Sequence, residues 1–182
     1  PSNFVYSSMP PEIRNYKNCN IIHFGSPAID LNSLESTRKV NDNKIKLLFV
    51  GSMSQRKGLA DLFEAMKILK NEPIELSVLG QPLMPLDFYR KRFASFHYFP
   101  PRSNREIYNV MKSHDALILP SIVEGRALVQ QEALACGIPI ITTPNAGGED
   151  LVNNETTGYL VQIRSPESIA EKILTLLNNR KL

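Results

Sequence analysis

Between residues 45 and 177, short apolar runs alternate with stretches of helical periodicity, and that alternation narrows the possible folds more than any other property of the chain. Ile45–Val50 is apolar almost throughout, the mark of a strand buried on both faces. Residues 57–69 then place Leu59, Leu62, Phe63, Met66 and Leu69 at helical spacing. Ile74–Leu79 reads as the next strand, closed by Gly80. The pattern continues with a helix over 86–94, a strand at 96–99, a helix over 104–113 and a strand at 116–119. A helix over 127–136, a strand at 138–142, a short strand near 159–161 and a helix over 166–177 complete it. Strands and helices in strict alternation predict βαβ units: a Rossmann-like α/β domain, with a parallel sheet and helices on both faces. Right-handed crossovers place every strand C-terminus on one rim, where ligands of such sheets bind. The loops at 51–57, 80–85, 99–103 and 120–126 belong to that rim.

Residues 1–43 lack this regularity and read as a linker or tail. They include a β-like run at Phe4–Tyr6, a short strand near 20–25 and a polar, irregular stretch over 26–43. The domain proper is expected over 44–182. A chain of 182 residues accommodates one domain or slightly more. The net charge of +3 is modest and the cations form no long run, so nucleic acid is not an expected partner. No apolar stretch is long enough for a transmembrane helix. The opening Pro-Ser-Asn-Phe does not resemble a signal peptide and has no initiator Met, so a trimmed chain from a cytoplasmic protein is expected. Cys19 and Cys136 make no disulfide framework, and Cys136 reads as a small buried side chain. His23, His97 and His114 show no metal-ligand spacing, and His114 reads as structural. Neither a dinucleotide fingerprint nor a P-loop is present.

The chemistry concentrates at 119–132, Leu-Pro-Ser-Ile-Val-Glu-Gly-Arg-Ala-Leu-Val-Gln-Gln-Glu. A strand ends at Pro120, a loop carries Glu124 and Gly125, and a helix follows with no Ser, Thr, Asp or Asn before it to cap its backbone N–H groups. Strand, small-residue loop and uncapped helix start make an anion site. A carboxylate accepts hydrogen bonds from two hydroxyls, so Glu124 and Glu132 suit a hydroxyl-rich ligand. The spacing alone is weak, because it recurs at Glu64 and Glu72. Arg56 and Lys57 stand on the same rim and are suited to a pyrophosphate, Arg through its planar fork and Lys as a point charge. Arg102, after Pro100-Pro101, suits a nucleobase or a phosphate. Gly147-Gly148-Glu149 reads as a turn.

Several segments then occur in one order: Leu48-Phe-Val-Gly-Ser, Arg56-Lys-Gly58, Leu117-Ile-Leu-Pro-Ser121, Glu124-Gly, Glu132-Ala-Leu-Ala-Cys-Gly137, Pro139-Ile-Ile-Thr-Thr143, Gly147-Gly148 and Gly158-Tyr-Leu-Val161. Over about 44–177 the chain resembles the C-terminal, donor-binding half of a retaining glycosyltransferase of family 4, one half of a GT-B fold. The resemblance implies transfer of a sugar from a nucleotide-diphosphate sugar, UDP favoured, to a glycan or a lipid-linked saccharide. It implies a diphosphate held by Arg56 and Lys57 near Gly51, and Glu124 as the catalytic contact to the donor sugar. Backbone N–H groups of Gly125, Arg126, Ala127, Leu128 and Val129 would face phosphate and sugar. Glu132 would hold the ribose, and Arg102 would lie near the base. No metal or other cofactor is implied. The family often has an aromatic and a Gly where this chain has Arg126 and Ala127, and Arg126 adds a third cation. An N-terminal acceptor domain would be the missing partner, with peripheral membrane association through it, and the donor half alone would bind nucleotide without transferring sugar. Two other readings are a catalytically silent nucleotide-sugar-binding module and a nucleotide-sugar 2-epimerase.

Overall fold

The structure, a computed structural model, describes residues 2–15, 19–22, 25, 44–153 and 156–179. Six strands form one parallel sheet: β1 (Ile45–Val50), β2 (Ile74–Leu79), β3 (Phe96–Phe99), β4 (Ala116–Leu119), β5 (Ile140–Thr142) and β6 (Gly158–Leu160). Their spatial order is β3-β2-β1-β4-β5-β6. Two short helices, α1 (Asn3–Ser8) and α2 (Pro11–Arg14), precede the sheet. The crossovers carry α3 (Leu59–Ile68), α4 (Leu86–Arg90), α5 (Asn104–Lys112) and α6 (Leu128–Ala135), and α7 (Pro166–Asn178) follows β6. The α/β architecture expected from the alternation is therefore the one observed.

β1 shows why a two-sided strand reads as an apolar run. Leu47 and Phe49 enter the core shared with α3 and α7, where Leu62, Phe63, Ile169 and Ile173 are fully buried. Leu48 and Val50 enter the opposite core with Met111 of α5 and Ala133 of α6. Alternate residues of one strand thus serve two cores, so no polar position remains in its central part.

Neighbours β1 and β4 mark where the strand order reverses, since β2 and β3 lie on one side and β5 and β6 on the other. The loops after β1 and β4 consequently diverge around a crevice, where open α/β sheets bind ligands. Gly58 lets these loops meet. It has φ +73, and a Cβ there would stand 2.0 Å from the Pro120 carbonyl oxygen. Only a residue without Cβ permits both that conformation and that approach.

The N-terminal expectations need two corrections. Phe4–Tyr6 is not β-like but lies inside α1, whose N-cap is Ser2, its hydroxyl accepting from the Val5 N–H. Three apolar residues cannot distinguish strand from helix; the capping serine does. The short strand near 20–25 is absent over its described residues, 20–22 and 25, which are irregular, and Ile22 is 78% exposed. His23 and Phe24, with the polar stretch 26–43, lie outside the described residues. Smaller shifts occur at element ends: the helix expected over 86–94 stops at Arg90, and the strand expected from 138 begins at Ile140.

Candidate functional site

Three side chains expected to face a ligand meet at the crevice. After β1 the chain makes a short 3-10 turn, Gln55–Lys57, before Gly58 redirects it into α3. That turn presents Arg56 and Lys57 toward the loop after β4. The Glu124 carboxylate accepts from an Arg56 guanidinium N–H at 2.8 Å and pairs with Lys57 Nζ at 2.5 Å. The exposure is uneven: the side chains of Lys57 and Glu124 are 12% and 18% exposed, that of Arg56 51%. Gly51, at the start of this loop, has φ +149, a conformation L side chains rarely adopt, whereas a Cβ there would meet the Lys57 methylenes only at an ordinary contact distance of 3.6 Å.

The loop carrying Glu124 is held from both sides. Ile122 N–H donates to the Arg56 carbonyl and Glu124 N–H to the Asn145 carbonyl, each at 2.9 Å. Asn145 donates through its side-chain amide to Ile122 O, and the Thr143 hydroxyl donates to Ser121 O at 2.6 Å. The loop after β5 therefore braces the loop after β4, and the Glu124 backbone is fixed by bonds independent of its carboxylate.

Ala127 is the N-cap of α6 and offers no side-chain cap, as the sequence implied. Its N–H bonds weakly to Ala146 O at 3.4 Å, and the Gln130 side-chain amide donates to the same carbonyl at 2.8 Å. With no side-chain cap from Ala127, the helix start retains the partial positive charge of a helix N-terminus. Leu128 is half exposed beside it and Val129 packs inward.

Arg126 is not a third cation open to a ligand. Its side chain is 4% exposed and pairs with Asp150 at 3.1 Å, with Asp150 9% exposed. Burial leaves that guanidinium acting inside the fold, which corrects the expectation of a free positive charge. Gly125 carries its own constraint: its carbonyl accepts from the Ser2 hydroxyl at 2.6 Å, so its oxygen faces the N-terminal segment. Asn3 donates to Asp150 at 2.5 Å. The segment read as a tail thus rests, through Ser2 and Asn3, on the rim itself.

Among the described residues, neither Glu132 nor Arg102 is hydrogen-bonded or ion-paired to the trio. Glu132 is half-buried on α6, and burial raises its carboxyl above the ordinary carboxylate range. Tyr108 of α5 is its neighbour, and burial together with the nearby Glu132 charge pushes that phenol up. Arg102 is exposed on the loop after β3, with its guanidinium 5.4 Å above the Phe99 ring. A flat cation stacked on an aromatic at the rim can accept a further planar ring. The first copy of the glutamate spacing shows no such setting: Glu64 pairs with Lys67 on an exposed face of α3.

Residues not foreseen are Thr143, Asn145, Gln130, Asp150, Ser2 and Asn3. Each acts by bonding a loop from a distant part of the chain, and no local pattern announces that. Only the Gly147-Gly148 turn pointed to the region. Among the described residues no group of three or more His, Cys, Asp or Glu is placed to hold a metal ion. None of their helices is long and apolar enough to cross a membrane.

The family model for glycosyl transferases group 1 matches residues 33–182. Among curated proteins, the chain is 29% identical over 185 residues to the capsular polysaccharide biosynthesis glycosyltransferase CapM of Staphylococcus aureus, covering 93% of this chain and 47% of that protein. It is 28% identical over 155 residues to a D-inositol 3-phosphate glycosyltransferase of Paenarthrobacter aurescens, covering 79% of this chain and 38% of that one. Several relatives are matched over only 35% to 39% of their length. Among solved structures, WaaG, a glycosyltransferase involved in lipopolysaccharide biosynthesis, is similar with a TM-score of 0.64 and 26% identity, over 76% of this chain and 39% of that one. Anabaena HepE, solved in complex with UDP, shares the fold with a TM-score of 0.68 at 18% identity, over 76% of this chain and 40% of that one.

Proposed function

Because the chain belongs to the glycosyl transferases group 1 family, we propose that it is the donor-binding half of a retaining, family 4 enzyme of GT-B fold. In this reading it transfers a hexose from a nucleotide-diphosphate sugar to a glycan or lipid-linked saccharide. The observation that carries the reading is the meeting of Arg56, Lys57 and Glu124 at the strand-order reversal, beside an uncapped helix start. Two cations and a helix N-terminus suit a diphosphate and stabilise the negative charge that builds on it as the sugar departs, so no metal is required. A carboxylate beside them suits sugar hydroxyls. The ribose falls to Glu132, whose raised carboxyl pKa reflects a desolvated site where a hydrogen bond counts for more than in water. The base falls to Arg102 on its Phe99 platform. UDP is favoured, since the HepE relative was solved with UDP and with UDP-glucose. An acceptor domain, with any peripheral membrane attachment it brings, and a cytoplasmic setting complete the proposal.

Thermal melts with UDP, GDP, ADP and their sugars test it. A ligand at 100 times its Kd stabilises by about 2.7 kcal/mol, a readable shift. UDP and UDP-sugars are expected to raise the melting temperature, and Glu132→Ala to weaken the effect of UDP. The absence of any shift with every nucleoside diphosphate at millimolar concentration would remove the donor-site reading.

A further inference from the structure

We infer that Ser2 and Asn3 are positioning residues for the donor diphosphate: they set the loop Gly125-Arg126-Ala127 through which the chain enters α6. The inference rests on the donor-site reading and extends it to residues far away in sequence, since Ser2 lies 123 positions from its partner Gly125 and Asn3 147 from Asp150. The bonds from Thr143 and Asn145 act on residues 121–124 and stop short of Gly125. Gly125 has no side chain to anchor it. Among the described residues its one hydrogen bond is the 2.6 Å bond that its carbonyl accepts from the Ser2 hydroxyl. Arg126 is held through its side chain, which pairs with Asp150 Oδ2 at 3.1 Å, while Asp150 Oδ1 accepts from the Asn3 amide at 2.5 Å. The Ala127 N–H reaches Ala146 O at 3.4 Å, too long to hold the loop by itself.

The N-terminal segment is built to make these contacts. Ser2 is fully buried, and its Cβ would stand 3.2 Å from a Cβ at Gly147, so the turn after β5 closes directly over it. The same hydroxyl accepts from the Val5 N–H as the N-cap of α1 and donates to Gly125, so the helix and the loop contact depend on one group. Tyr6 donates to the Arg14 carbonyl at 3.3 Å and folds α2 back on α1. An anion site made from backbone N–H groups binds well only when those groups are already oriented. A loop released at Gly125 must be ordered by the ligand, and that cost is taken from its affinity.

Two substitutions separate this role from helix stability. Ser2→Gly removes the donor to Gly125 and keeps most of the N-cap preference. Asn3→Ala removes the donor to Asp150 and favours α1 by propensity. In each, hydrogen exchange of the Glu124 and Ala127 amides, the bonded N–H groups on either side of the loop, is expected to quicken about two- to tenfold, the worth of one hydrogen bond. The Leu117 amide in the central sheet should be unchanged. Isothermal titration with UDP should show Kd raised by a similar factor of about two to ten. If the parent chain binds UDP and both variants bind it as tightly, the assignment fails and the donor reading stands. A lower melting temperature with exchange and UDP affinity unchanged would likewise overturn it, because the contact would then serve stability alone. If the parent chain binds no UDP, the donor reading fails and the assignment falls with it.

Discussion

Glu124→Gln is expected to tighten UDP binding rather than weaken it. In the structure the Glu124 carboxylate holds both cations assigned to the diphosphate, at 2.8 Å from the Arg56 guanidinium and 2.5 Å from Lys57 Nζ. A diphosphate entering the crevice must displace that carboxylate from at least Lys57. The Arg56 contact contributes little, because half its side chain is in water and exposed pairs are worth well under about 1 kcal/mol. The Lys57 contact involves groups only 12% and 18% exposed, where a charge-assisted bond is worth about 1.5–3 kcal/mol. Allowing for what the neutral amide still accepts, the competition costs UDP about 1–2 kcal/mol, a factor of about five to thirty in Kd. Isothermal titration of UDP against the parent chain and Glu124→Gln measures it. UDP should bind about five- to thirtyfold more tightly to the variant, with the gain shrinking as ionic strength rises. A UDP-sugar should gain less, since the amide also removes a hydroxyl acceptor. If UDP binds the variant as weakly as the parent, or more weakly, the carboxylate is not competing with the diphosphate and the displacement argument fails.

Two further outcomes follow from the fold. Gly58→Ala is expected to destabilise by about 3 kcal/mol or more in urea unfolding, because a left-handed backbone position is combined with a Cβ 2.0 Å from the Pro120 carbonyl oxygen; a loss under about 1 kcal/mol would mean the loops separate easily. His114 is buried with Nδ1 2.6 Å from Val110 O, and burial holds its imidazole below the ordinary value of 6.5. Its folded pKa is depressed, so the unfolded chain binds the proton first. The stability contributed by neutral His114 is present above about pH 6.5 and is lost as pH falls through its lower folded pKa. Melting followed from pH 7.5 to 5 should show this loss, and His114→Gln should flatten it.

Much of the fold was legible because it rests on local periodicity. Ile45–Val50 is apolar almost throughout because its alternate side chains serve two cores, and α3 repeats at helical spacing because one stripe faces the sheet. The N-terminal residues misled for the same reason in reverse: Phe4–Tyr6 is too short to carry a period, and Ser2 caps a helix there. At the site, the residue types were readable in Arg56, Lys57, Glu124 and the uncapped start at Ala127. Their state was not. Arg126 looked like one more ligand cation and is instead closed into a pair with Asp150, 24 residues away.

By itself, then, the sequence determined the parallel α/β sheet, the rim and the set of candidate groups, since periodicity, capping and turn chemistry act between near neighbours. The tertiary structure decided which charges meet. It clamped Arg56 and Lys57 on Glu124, buried Arg126 against Asp150 and brought Ser2 to the Gly125 carbonyl. Those contacts join residues 24 to 123 positions apart, and electrostatic partnership depends on distance in space, which no local pattern encodes.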